Sequence, residues 1–588
     1  MDNMCDGIEK RWVRLAKAVL LTLVVCGPVR AAELPEWIGY RGPGGFGIFR
    51  DAKPPLKWDV KTGENIRWRV PVANWGHSSP LLVRDRVFVV SEPGWKHTFP
   101  VLECFSAVDG KKLWEKELDP IDAVEAPASE REAARKAWGE LVEWLGRLHE
   151  ACYLWNTLDF ENQRKAAGMM RDLKAKPPVD PDAVKAQWAD VGEASPPELR
   201  KGTTAPEVRK NADPDSPYAK YPEMLKKFGW SWESWYHWNY GLACIGHTFG
   251  TPVTDGERVY VTTGHDACFC LDMEGKVLWR SMVKGLDSGD FCKSARSPIL
   301  YQASDGKGIV ISDINQTVRA LDKLTGRLLW KRDLVKGYTS MVTPVVARVG
   351  DKDILLSGGL DFPSGPMQLH AFILPEGKEV KVDGWTSPGG TMLVKHDERD
   401  VVFFTGGGEH GGWEGKGNFM YKPPAAVRFA FEGAVLKATV LWHGVDGAGH
   451  GGHAGIVYNN GKFYANGLIF DAGTGKVLAG TFGTGKGGRR EQTPAAPGHH
   501  LAFVANGHVY GMRYEGAEGV CEVYTLEGVK AAASRLPSAV SEGEKKQQIL
   551  RNCGKTEWGM FSYSCAYTIG PDCLYVRSYD ELWCIGAK

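Results

Sequence analysis

Ala320-Leu321-Asp322-Lys323-Leu324-Thr325-Gly326-Arg327-Leu328-Leu329-Trp330 is the stretch that decides how this chain is read. Asp322 and Gly326 bracket a tight turn, and apolar residues dominate the runs on either side, as in paired, part-buried strands. The stretch predicts a hairpin. The same logic returns at Ala107-Val108-Asp109-Gly110-Lys111-Lys112-Leu113-Trp114 and at Leu271-Asp272-Met273-Glu274-Gly275-Lys276-Val277-Leu278-Trp279. It returns once more, with Ala479 in place of Trp, at Asp471-Ala472-Gly473-Thr474-Gly475-Lys476-Val477-Leu478. A strand pair with one indole cannot bury its own faces, so the copies must stack on each other.

The pattern Ala-x-Asp-x-x-x-Gly-x-x-x-Trp, preceded in the second repeat by the strand Arg258-Val259-Tyr260-Val261-Thr262-Thr263, resembles the repeat of the PQQ-like β-propellers. That superfamily includes quinoprotein alcohol dehydrogenases and the outer-membrane assembly lipoprotein BamB, and its architecture is WD40-like. The resemblance implies an all-β fold in which Trp114, Trp279 and Trp330 dock each four-stranded blade onto its neighbour. It bears on fold far more than on function, because one fold hosts many activities.

Composition agrees with many short strands and tight turns: 588 residues, 43% hydrophobic, with 22 Trp and 71 Gly. Lys plus Arg number 72 against 71 Asp plus Glu, so no long-range field draws in nucleic acid or anionic lipid. Residues 1–31 read as a signal peptide, with Lys10, Arg11, Arg14 and Lys17 before the apolar run 18–25 and Val29 and Ala31 before the cut. The apolar run is shorter than the roughly 20 residues of a membrane span. The reading is therefore a periplasmic or secreted protein with no transmembrane span after cleavage. Eleven of the thirteen cysteines would remain, an odd number, with no Cys-x-x-Cys metal spacing and no haem motif. Cys268 and Cys270 are expected to act as small buried hydrophobes.

Residues 32–64 form a Gly/Pro-rich lead-in containing Trp37-Ile38-Gly39-Tyr40-Arg41-Gly42-Pro43-Gly44-Gly45-Phe46-Gly47, similar to the N-terminal segment of secreted members of the family. Asn65-Ile66-Arg67-Trp68-Arg69-Val70 reads as the outer strand of a blade whose other strands are missing. The C-terminal runs 573–578 and 581–586 are the complement, lacking an outer strand. Joining the two ends would close a ring and remove both sheet edges. Residues 65–118 thus hold the closing strand and blade one, and 241–588 the rest. Blade starts follow a small-residue step at Ser79-Pro80, Thr251-Pro252, Ser297-Pro298, Thr343-Pro344, Ser387-Pro388, Ala454-Gly455, Thr493-Pro494 and Ser564-Cys565, which gives eight blades. The fifth start has poorly marked strands, and leaving it out gives seven. Helical spacing takes over in a large insert at 119–240, between blades one and two, and in a small one at 529–552.

The resemblance places the links into each innermost strand, and the turns between second and third strands, on one face. His77, His247, Arg296, His450 and His453 would then stand near one mouth of the channel, with His265, Asp361, Glu409 and His410 on turns around it. His450-Gly451-Gly452-His453 and the glycine-rich run 406–413 are the one cluster with the chemistry to hold a metal or an anion, although solvated loop histidines account for them equally simply. Arg296 would pair with a carboxylate of a ligand or of the protein itself. No catalytic set maps onto the sequence, and the adjacent Cys-Cys pair of many quinoprotein dehydrogenases is missing. The expectation is a non-catalytic scaffold that binds a protein or a glycan through the mouth and the large insert. The alternative is a PQQ-dependent alcohol or sugar dehydrogenase holding PQQ and calcium. The aromatic run 230–238 would stack on sugars or pack against the propeller.

Overall fold

The computed structural model describes residues 38–74, 76, 78–92, 98–187, 196–203, 205–229, 250–264, 267–282, 296–314, 317–334, 338–339, 343–361, 367–385, 392–394, 400–404, 425–444, 457–465, 468–479, 502–515, 518–537, 566–578 and 581–587. Their strands form eight sheets, one per blade, antiparallel except where Ile48–Phe49 and Val382–Asp383 add in parallel. Inner strands begin at Leu81, Val253, Ile299, Val345, Met392, Val457, Ala502 and Ala566, so the fifth start is a blade and the count is eight.

The hairpin at 320–330 shows why the repeat has its residues. Asp322 N–H donates to the Arg327 carbonyl at 2.8 Å and Gly326 N–H to the Asp322 carbonyl at 2.9 Å. The Asp322 carboxylate accepts from the Thr325 amide at 2.9 Å and its hydroxyl at 2.8 Å. This Asx-type arrangement satisfies backbone donors that the sheet does not reach. Gly326 has φ +70°, and a Cβ there would lie 2.5 Å from the Trp279 ring of the preceding blade. Glycine answers both demands.

Each indole repeats that contact around the ring. Trp68, Trp114, Trp279, Trp330 and Trp442 cover Gly110, Gly275, Gly326, Gly377 and Gly475 of the next blade. Their Nε1–H groups donate to Ala107, Met273, Lys323, Pro375 and Ala472 carbonyls at 3.2, 2.9, 3.0, 2.7 and 2.9 Å. The residue opposite each indole is small: Cys584, Cys104, Cys270 and Ala320, with Ala426 opposite Trp442. Three cysteines therefore stand where a bulky cross-strand partner would displace an indole. The seven described cysteines are buried thiols.

The ring closes between its ends. Ile66–Pro71 is the outer strand of blade eight, in register Leu582↔Val70, Trp583↔Arg69 and Cys584↔Trp68. Arg577, at the end of the second strand of that blade, reaches into blade one, where its guanidinium donates to the Val90 carbonyl, to the Asn74 carbonyl at 3.0 Å and to the Ser91 hydroxyl at 3.0 Å. The Ser91 hydroxyl donates in turn to Glu103 Oε2 at 2.9 Å, and Lys112 holds the other Glu103 oxygen at 2.7 Å.

The large insert carries helices α1 (Ala128–Asn156), α2 (Phe160–Asp172), α3 (Pro181–Gln187), α4 (Ala205–Arg209), α5 (Pro217–Lys220) and α6 (Pro222–Lys226). It has a core of its own in which Trp138, Trp144, Leu145, Leu148, Trp155 and Met170 are buried. Arg135 ties it to Asp119 at 2.6 Å, and Asp122 reaches Arg280 of blade two at 2.8 Å. The small insert expected at 529–552 is corrected in part: Lys530–Arg535 is the outer strand of blade seven. Its alanines mimic helix propensity, but pairing with Val520–Tyr524 overrides that weak preference. Residues 538–552 lie outside the described residues.

Candidate functional site

The lead-in is part of the channel. Ile38–Gly39 adds to the inner edge of blade two, where Ile38 pairs with Thr254, and Ile48–Phe49 adds to the inner edge of blade seven, in register with Val504 and Ala505. Between them Phe46 packs against the apolar clusters of blades four to six. A segment that joins inner strands on separate blades crosses the channel. Thr254 and Ala505 both abut the turns between first and second strands, so the crossing lies at that end. The links between blades lie at the other.

Beyond the channel the lead-in supplies a missing indole. Blade seven has Ala532, as blade six has Ala479, at the position that Trp fills in five other blades, opposite Val523. Trp58 packs into the blade seven–eight cluster instead, and its indole N–H donates to the Arg535 carbonyl at 2.8 Å. Sequence reading did not single out Arg41, Trp58 or Arg577. The repeat pattern marks residues inside blades and is silent on side chains lent from outside.

Arg41 sits at the second corner of the turn joining Ile38–Gly39 to Gly42–Pro43, with left-handed backbone at φ 66°. Only 3% of it is exposed. Burial pulls its guanidinium down to about 10, with Tyr40 and Tyr567 pushing the other way. Burial also raises the Tyr40 phenol, which keeps its proton. A Cβ at Gly47 would lie 3.0 Å from Arg41 Nη2 and 3.3 Å from the Ala502 carbonyl oxygen, so this glycine makes room for the guanidinium beside blade seven.

At the other end, hydroxyls stitch the blade starts together. The Ser79 amide donates to Thr251 Oγ1 at 3.0 Å and the Thr251 amide to Ser297 Oγ at 2.9 Å. Arg296 is buried there, and its carbonyl accepts from Thr262 Oγ1 at 2.8 Å. It is the one mouth candidate among the described residues. His77, His247, His265, Glu409, His410, His450 and His453 lie outside them, as does the side chain of Asp361 and the aromatic run 230–238.

The cofactor pair implied by the resemblance needs convergent oxygen donors for its calcium. Among the described residues no three His, Cys, Asp or Glu side chains converge. Glu103, a buried carboxylate at the closing seam, is already held by Ser91, Lys112 and the Ala73 amide.

Eight sheets of four to six strands, five of them docked on the next blade by an indole, define a PQQ-like β-propeller. The family model described as "Outer membrane protein assembly factor BamB" matches residues 54–142 and 228–393. The matched residues are less than half of the chain, and what the chain shares with that family is the PQQ-like β-propeller fold. Among curated proteins none matches the sequence. Among solved structures, BamB from Moraxella catarrhalis is similar at 13% identity and TM-score 0.32, over 56% of this chain and 82% of that one. Quinohemoprotein alcohol dehydrogenase from Comamonas testosteroni is similar at 9% identity and TM-score 0.39, over 92% of this chain and 79% of that one. The WD40 domain of SCAP from fission yeast is similar at 10% identity and TM-score 0.29, over 56% and 82%.

Proposed function

We propose that this chain is an exported, non-catalytic scaffold that binds a protein partner, with the helical insert as part of the contact surface. The observation that carries this reading is the insert itself: a helical unit with its own apolar core, pinned to the propeller through Arg135, Asp119, Asp122 and Arg280. A rigid scaffold carrying a large added element is how binding surfaces are built on loops. Helix α1 turns Lys136, Glu143, Arg147 and Glu150 to solvent on the side away from that core. The match to a family described as an assembly factor supports a protein partner over a glycan. Export rests on the signal-peptide reading of residues 1–31, and among the described residues no helix is long and apolar enough to cross a membrane.

A photo-crosslinking amino acid at Arg147 of α1, with Lys437 on blade five as control, tests the surface in the native host. Discrete protein adducts from position 147 and none from 437 are expected. Equal labelling from both positions, or none from 147, would contradict it. The mature chain is also titrated with PQQ and calcium. Saturable binding with dye-linked alcohol oxidation would replace the scaffold by a dehydrogenase.

A further inference from the structure

The channel crossing carries a cation that has no counter-charge among the described residues. The Arg41 guanidinium has five N–H donors. Among the described residues its one hydrogen bond is from Nη2 to the Phe46 carbonyl, at 3.4 Å, and Nε is buried without an acceptor. Among the described residues no carboxylate pairs with it. Its titratable neighbours are two protonated phenols, Tyr40 and Tyr567. The Tyr567 hydroxyl donates to the Tyr510 carbonyl at 3.3 Å, whereas the Tyr40 hydroxyl makes no hydrogen bond among the described residues. Burying an unpaired guanidinium is costly, and arginine does not escape the cost by losing its proton at neutral pH. Left-handed backbone at a non-glycine residue adds strain. Asparagine or glycine would fit that turn corner without either penalty.

We propose that Arg41 and Tyr40 form a binding site inside the channel for a carboxylate, with the guanidinium as the charged anchor and the Tyr40 hydroxyl as a second donor. A planar guanidinium presents paired N–H groups at the spacing of carboxylate oxygens, which favours that anion over a spherical one. The carboxylate is either that of a free small acid or that of a peptide C-terminus. The site stands apart from the partner surface on the insert and does not depend on that surface being correct.

The test titrates the mature wild-type chain, Arg41→Gln and Tyr40→Phe with sodium formate at constant ionic strength, reading thermal midpoint and calorimetric heat. A crystal of the wild-type chain is grown in formate. Saturable binding is expected for wild type, weakened at least tenfold in Arg41→Gln and severalfold in Tyr40→Phe, with formate density against the Arg41 guanidinium. A short peptide is then offered with a free C-terminus and as its amide. Binding of the free acid alone among the peptides identifies a chain terminus as the source, and formate without either peptide identifies a small acid. Tyr40→Phe removes one oxygen, so the proposal stays testable if Arg41→Gln fails to fold. Two results would overturn it: formate responses equal in wild type and Tyr40→Phe with no density at Arg41, or a carboxylate of the chain itself paired with Arg41 in the crystal.

Discussion

At Gly326 an added methyl would strike the Trp279 ring at 2.5 Å, whereas at Gly306, with φ +85°, nothing lies within 4 Å. Both glycines are left-handed, so alanine at either costs about 1–2 kcal/mol of backbone strain. Gly326→Ala adds an overpacking term of about 1–3 kcal/mol. Urea denaturation should therefore show Gly326→Ala the less stable of the two by about 2 kcal/mol, and equal losses would mean that the indole contact carries no constraint. Asp322 in the same turn has its carboxyl held below the usual range: burial raises it, but the Thr325 hydroxyl and the Thr325 and Leu324 amides outweigh that. A carboxyl depressed in the folded state contributes stability that is present above its unfolded value of about 3.9 and is lost as pH falls through the folded value. Asp572, lowered chiefly by its hydrogen bond to Arg67, adds to the same trend. The urea midpoint should hold between pH 7 and 5 and fall below pH 4, and less steeply in Asp322→Asn. These turn residues were legible because the Asp, Gly and Trp recur at fixed offsets. Arg41 was not, because a single buried cation has no period.

The lead-in is the element whose role the sequence conceals most. Its glycines and prolines read as a linker, and its two-residue strands are too short for alternation to show. Trp58 fills a seam that Ala532 leaves open, and only 2% of it is exposed. Trp58→Ala should cost about 3–5 kcal/mol in urea or guanidinium denaturation. A loss under 1 kcal/mol would mean that the seam repacks without the lead-in. The large insert was visible as a change of period from two to 3.6, because α1 and α2 place apolar residues on one stripe. Lys530–Arg535 misled the same test. An outer strand with one exposed face and three consecutive alanines shows little alternation, and its pairing with blade seven decides its conformation.

Around the whole ring, closure joins residues some 500 positions apart in sequence, and its signal was an absence: an outer strand without a blade and a blade without an outer strand. Arg577 locks that seam through buried carbonyls of blade one. Arg577→Met removes charge-assisted bonds and strands their acceptors, a loss of about 3 kcal/mol. Native-state proteolysis should then cut first near residues 60–65, and an unchanged digestion rate would show the latch to be idle. The mouth candidates were chosen by that same whole-ring geometry, with blade topology assigning loops to a face. Such reasoning places loops and says nothing of what their side chains hold. Closure itself is tested most directly by hydrogen–deuterium exchange of the peptide spanning Ile66–Pro71, compared with the equivalent outer strand Lys112–Glu117 of blade one. The account predicts matching protection for the amides paired in each strand. Free exchange of 66–71 within seconds, beside a protected 112–117, would contradict it.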